Sequence, residues 1–489
     1  MFSPLAHRPK WPALGVLLAL SACSAVGPNY VAPQLSEKDV PAQWTSRADT
    51  APAPAVQSSP ARWWTELSDP ALDQLVNEAV STSPTLEAAM AKLRQARSQF
   101  TQAEAAALPT VDAAAGAQRG SSGGIYSQSW LSMNSSWEVD LFGAVRRGKE
   151  GALAREAAQR ATLADARVSL AADVTDAYLS YRACQSHVAL AEQDVTSREA
   201  TEKLTAASVE VGFTAPYQGI RSMASVAEAK TQLAATRAQC ERLENLLTRL
   251  TGVARPTLMK VLADKPTGLE RLPVPRHFSV AIPSQALMQR PDIRSAERNV
   301  AAASADIGLA EADRYPRLAL SGNLGYTVAG TGGSGTLSFG TWSFGPSISL
   351  PIFDAGRRAA VVQLAKSRYD EALADFKAIT RRAIQEVEDA LTRYAAAHER
   401  AESARLSASQ YQRFFDAVDV RYREGASNLL ELEDARRAML SAQQTLLGVQ
   451  QERLQAWVAL NRATGGAAQY GAESVPPQGD SPVQTPPAK

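Results

Sequence analysis

The sequence predicts an internally duplicated α+β membrane protein. Four strands per chain contribute to a β-barrel that a long α-helical coiled coil continues. Three observations carry this. First, through residues 357–424 an apolar or small residue recurs every three or four positions, from Tyr369, Ala372 and Phe376 to Phe415, Val418 and Tyr422. The mean step is about 3.5, the period of a left-handed coiled coil. No proline interrupts the run, and roughly 68 residues of helix span about 100 Å. Second, the chain repeats itself. Pro84 and Pro109 correspond to Pro291 and Pro316 at an offset of 207, and Asp176, Gly212 and Gly252 correspond to Asp389, Gly425 and Gly465 at 213. Drift of a few residues over such a length is the mark of duplication. Third, four short segments change period from 3.5 to 2, with greasy residues on one face and small polar ones on the other. That is how a barrel strand in an outer membrane reads.

In chain order, residues 1–22 read as an export signal. His7, Arg8 and Lys10 precede an apolar run, Trp11–Leu20, too short to span a bilayer. It ends in Leu20-Ser21-Ala22-Cys23, which resembles the lipobox of bacterial lipoproteins. The resemblance implies that Cys23 becomes the first residue and carries acyl chains, palmitate among them, and that Ser24 directs sorting to the outer membrane. Several acyl chains anchor stably where one is marginal. Residues 23–68 form a proline-rich linker with Pro28, Pro33, Pro41, Pro52, Pro54 and Pro60. It runs extended, either bridging the anchor to a distant body or serving as a loose leash.

The first repeat spans 69–252: a helix entered at Asp69-Pro70 with a break at Pro84, strands 110–119 and 130–141, a long helix 146–211, and a return helix 216–250. A segment at 253–282 joins the halves. The second repeat spans 283–465: a helix, strands 317–328 and 340–352, a long helix 357–424, and a return helix 427–463. Tyr126, Trp130, Tyr326 and Trp342 lie near hairpin ends, where an aromatic girdle is expected. Residues 466–489 read as a disordered tail.

Four strands cannot close. A barrel needs about eight or more, because lipid tolerates no unpaired edge. Several copies must therefore share one barrel, three giving twelve strands and four giving sixteen.

The net charge of +1 gives no electrostatic case for nucleic acid, and four scattered histidines with three cysteines argue against a metal cluster. No nucleophile elbow, His–carboxylate cluster or phosphate loop is present, so neither an enzyme nor a cofactor is expected. Cys184 and Cys240 are each 28 residues from Gly212. Facing positions on an antiparallel pair permit a disulfide, but two buried free thiols are the preferred reading.

The ordered set of Gly27-Pro28-Asn29-Tyr30, Trp137-Glu138-Val139-Asp140-Leu141-Phe142-Gly143, Pro351-Ile352-Phe353-Asp354-Ala355-Gly356-Arg357 and Tyr422-Arg423-Glu424-Gly425 resembles the TolC-like outer membrane factors of tripartite efflux pumps, in their lipoprotein branch. The resemblance covers nearly all of 23–465. It implies a homotrimer, a 12-stranded barrel continued by a periplasmic helical tunnel, a periplasmic adaptor protein, and an inner-membrane transporter of the resistance-nodulation-division type. It also implies that the turns at Gly212 and Gly425 meet the adaptor and close the tunnel. Just after the second turn it places an apolar constriction at Leu430 and acidic rings at Glu431 and Asp434. Glu431 reads equally as the third residue of a capping box begun at Asn428. The family's latch on Tyr422 uses a first-half acid; here the matching residue is Gln218, whose amide could only hydrogen-bond. Three functions are compatible: an efflux exit channel, the outlet of a type I protein secretion system, or a trimeric coiled-coil scaffold or adhesin without a pore.

Overall fold

The computed structural model describes residues 25–33, 40–41, 43–45, 62–121, 124–263, 287, 289–331 and 335–466. The expected export signal, Cys23, the joining segment from 264 to 282 and the tail beyond 466 lie outside them. The chain divides into two compact units: 1–34, 90–161 and 294–379 in one, and 35–89, 162–293 and 380–489 in the other. The helices are α1 Pro70–Thr82, α2 Pro84–Ala105, α3 Ala144–Glu210, α4 Pro216–Thr251, α5 Arg255–Leu262, α6 Pro291–Ala312, α7 Arg357–Arg423 and α8 Leu429–Ala463. The strands are β1 Thr110–Ser121, β2 Ile125–Val139, β3 Arg317–Thr331 and β4 Thr336–Ser349.

The first unit holds the sheet. Its order is β1-β2-β3-β4, all antiparallel, and the β2–β3 pair joins the two repeats. β2 starts five residues before the expected position 130, because pairing continues to Ser121↔Ile125 through serine and glycine positions that carry no alternation. β4 is likewise shifted, running from Thr336 to Ser349. The register puts Leu131, Met133 and Trp137 on one face with Leu318, Leu320, Leu324, Tyr326, Trp342, Phe344 and Ile348. Leu318 and Leu320 are half-buried and the others are exposed on the single chain, Trp342 at 81% and Phe344 at 74%. From Leu318 to Val328 the greasy positions cover about 34 Å of strand, which a tilt of about 45° reduces to the roughly 25 Å of a barrel's apolar band. The Trp137 indole N–H donates to the Ala107 carbonyl at 3.0 Å.

Two girdle assignments need correction. Tyr126 and Trp130 share the parity of Ser132, Asn134 and Ser136 and so lie on the polar face. Nearness to a hairpin end does not choose a face; the period of two does. Tyr326 and Trp342 stay on the greasy side.

Residues 25–33 are strapped to this unit. The Val26 N–H donates to the Phe142 carbonyl at 3.0 Å. Arg147, 3% exposed, donates to the carbonyls of Val26 and Gly27 and to Asn29 Oδ1. The Tyr30 hydroxyl donates to Glu297; burial and that carboxylate hold the phenol above its ordinary pKa.

The second unit is helical. Asp69 caps α1 through the Ala71 N–H at 3.0 Å and accepts from the Tyr178 hydroxyl. Trp63 and Trp64, in a 3-10 turn Trp63–Leu67, are fully buried. Trp63 packs edge-to-face with Trp457 at 5.1 Å. The stretch 62–68 is therefore core rather than extended linker, because two indoles outweigh the proline-rich composition before them. The Thr45 N–H donates to Glu388 at 2.7 Å and Trp44 packs on the Val387–Leu460 cluster. The described parts of the linker thus follow the protein surface and do not dangle as a leash.

Candidate functional site

The two helix turns close in the same way. In the first, the Phe213 N–H donates to the Ser208 carbonyl and the Gly212 N–H to Val209; in the second, Ala426 donates to Arg421 and Gly425 to Tyr422. Each is a Schellman motif, and its first residue past the cap is left-handed: φ is +81° at Gly212 and +76° at Gly425. A side chain there is strained, so glycine fits both positions. Around the first turn Phe213, Tyr217, Ile220 and Met223 are all exposed.

After the second turn α8 has two faces. Leu430, Asp434 and Arg437 are exposed; Leu429, Leu432, Glu433 and Arg436 are buried. Glu431 forms one half of the expected capping box, through its backbone. Its N–H donates to Asn428 Oδ1 at 2.9 Å, so the helix is capped there. Its carboxylate meets Arg421 at 3.1 Å and accepts from Ser427 Oγ. Asp434 pairs with Arg437, both well exposed. Each candidate gate acid thus has an arginine of its own chain beside it.

The latch on Tyr422 differs from expectation. Tyr422 meets Thr205 Oγ1 at 2.7 Å, while Gln218 reaches only the Tyr217 hydroxyl, at 3.5 Å. Thr205 already donates to the Thr201 carbonyl at 2.8 Å, so the tyrosine is the donor. Thr205 is fully buried on α3, whereas Gln218 lies on the exposed start of α4.

Sequence reasoning missed the residues beneath. Arg198 pairs with Asp194 at 3.0 Å, donates to Ser225 Oγ at 2.6 Å and stands 3.6 Å from Glu433. Glu433 also binds Arg436, which is 0% exposed, donates to Thr201 Oγ1 at 2.7 Å and lies 5.5 Å from the Phe415 ring centre. Two cations and two carboxylates from α3 and α8 neutralise each other where an unpaired charge would be costly. The available signal was the spacing: Arg198, Thr201 and Thr205 recur at three and four on one face of α3.

Cys184 and Cys240 form a disulfide, with Cα atoms 5.6 Å apart, which corrects the preference for free thiols. Equal distance from the turn brings the two positions level on the antiparallel pair, within bridging reach. Among the described residues no group of three or more His, Cys, Asp or Glu is placed to hold a metal ion, and no helix is long and apolar enough to cross a membrane.

The profile of the outer membrane efflux protein family matches residues 75–253 and 282–466, once in each repeat. The antibiotic efflux pump outer membrane protein ArpC of Pseudomonas putida is 32% identical, over 91% of this chain and 93% of its own. Nodulation protein T of Rhizobium leguminosarum bv. viciae is 31% identical, over 94% of each chain. Among solved structures, the outer-membrane channel OprN superposes with a TM-score of 0.80 at 32% identity, covering 91% of this chain and 99% of that one.

Proposed function

The chain belongs to the outer membrane efflux protein family and is an outer-membrane channel of efflux pumps in a Gram-negative bacterium, and we propose from that premise how it is built and gated. Three copies close a twelve-stranded barrel in the outer membrane, and their helices continue it as a periplasmic tunnel. One observation carries this: a four-stranded sheet with two unpaired edges, β1 and β4, and one exposed greasy face. Lipid requires both edges to be paired, and further copies of the chain supply the partners. The conduit is passive. A periplasmic adaptor meets the turns at Gly212 and Gly425, and an inner-membrane transporter of the resistance-nodulation-division type supplies the energy. The open sheet edges disfavour a scaffold without a pore, and the antibiotic and toluene efflux relatives favour drug or solvent export over type I protein secretion.

The gate lies after the second turn, with Leu430 as the apolar constriction and Glu431 and Asp434 as acidic rings. Because each acid neighbours an arginine, Glu431→Gln with Asp434→Asn leaves Arg421 and Arg437 uncompensated. Rings of charge set ion selectivity. The double variant is expected to conduct more and to shift its reversal potential toward anions in a salt gradient across a planar bilayer. Unchanged current and reversal potential would remove these residues from the gate.

Cys23 carries the acyl anchor. Ala25 packs on Gly143, just past the end of β2, and two residues of chain reach about 7 Å. Acyl chains on Cys23 would therefore enter the leaflet beside the lipid-facing strand ends. Cys23→Ser is expected to release the protein from the outer-membrane fraction or deplete it there. Normal fractionation of acyl-free protein refutes the anchor.

A further inference from the structure

The polar face of the sheet is not uniform. At the level of Asp112, Asn134, Asn323 and Ser343, and on toward the helices, it carries small side chains, most of them polar, with Glu138 and Arg317 near its helix end. Toward the hairpin tips it carries rings. Trp130 pairs with Thr327, which pairs with Phe339, so both rings stand in one row on that face; Tyr126 lies one row nearer the tip than Gln128.

The rings next to β1 lie flat. A Cβ at Gly116 would come 2.7 Å from the Trp130 indole, and one at Gly120 would come 2.8 Å from the Tyr126 ring. Each ring is laid sideways across a glycine of the neighbouring strand, one face against the backbone. Trp130 is 37% exposed, Phe339 is 51% exposed and Tyr126 is half-buried. No other residue type would leave that space on β1.

We propose that these rings form a stacking site for aromatic solutes and aromatic organic cations at the outward mouth of the channel. The inference rests on the barrel reading, which makes the polar face the lumen. Three copies then pave one level of the wall with Trp130 and Phe339, and a second level, two rows nearer the tips, with Tyr126. Open π-faces attract flat rings by stacking and cations by the ring quadrupole. Rings held against the wall narrow the lumen little, so the site retains solutes briefly without sealing the pore.

The test uses the full-length protein in planar bilayers, with tetraphenylphosphonium added on the hairpin-tip side and tetramethylammonium as the ring-free control. Wild-type current is expected to show concentration-dependent block by tetraphenylphosphonium and far less by tetramethylammonium. Combining Trp130→Ala, Tyr126→Ala and Phe339→Ala is expected to raise the blocking concentration at least about tenfold, with the probe-free conductance confirming insertion. Trp130→Phe with the other rings intact is expected to keep most of the block. Gly116→Val, which lifts the indole off the wall, is expected to lower the probe-free conductance. A conducting channel whose block is the same in wild type and triple variant overturns the site alone. A protein that conducts no ions even with its gate loosened by Glu431→Gln and Asp434→Asn overturns the barrel reading and the site with it.

Discussion

Arg436→Ala is expected to destabilise the helices around the second turn by about 3–5 kcal/mol, the cost of breaking a buried ion pair from one side. Glu433, 7% exposed, loses its bonded guanidinium and keeps only Arg198 at 3.6 Å and the Ser225 hydroxyl at 3.3 Å. Arg198 is already engaged by Asp194, so it cannot make good the loss. Amide hydrogen exchange at 198–205 and 429–440 should accelerate by two or more orders of magnitude. The second arm of the experiment removes both charges. Arg436→Met with Glu433→Leu leaves no orphan, keeps Arg198 on Asp194, and should recover most of the protection, since a buried pair replaced by apolar groups is often neutral or better. Equal exchange in the single and double variants would show that packing, and not charge, holds this contact.

Trp457→Ala is expected to cost a similar amount, about 3–5 kcal/mol, by opening a cavity in the helical unit. Trp457 is 2% exposed and packs against Trp63, whose ring in turn meets Trp64 at 5.8 Å. Both of those belong to the turn that leads into α1, so the loss should do more than lower the unfolding temperature. It should free that turn, and limited proteolysis should cut near residue 62 in the variant before it cuts elsewhere. Protection of this stretch equal to wild type would mean that α1 is held by other contacts.

The duplication, the long helices and the strands were legible because each rests on periodicity, and periodicity survives without knowing what an element touches. The facing of Trp130 was legible too, from its parity with Ser132 and Asn134, whereas nearness to a hairpin end says nothing about the face. Other features depend on partners far along the chain. Trp63 is core only because Trp457 lies over it. Thr205 replaces Gln218 opposite Tyr422 because the α3 face that carries the buried Thr201 and Thr205 is the one beside it. Glu433 and Arg436 read as ordinary exposed charges three residues apart until α3 supplies Thr201 and Arg198.

The Cys184–Cys240 bond has no counterpart in the second hairpin, where the corresponding positions are Ala397 and Arg453. A covalent rivet between α3 and α4 fixes their longitudinal alignment, so α4 cannot creep along its neighbour by a helical turn. α7 and α8 are held beside their turn by noncovalent packing of Phe415, Val418, Leu432, Ala435 and Met439. In a ring of three chains the alternating hairpins would then behave unequally, like a cask with three nailed staves and three held only by fit. Widening of its lower rim would fall to the unnailed set.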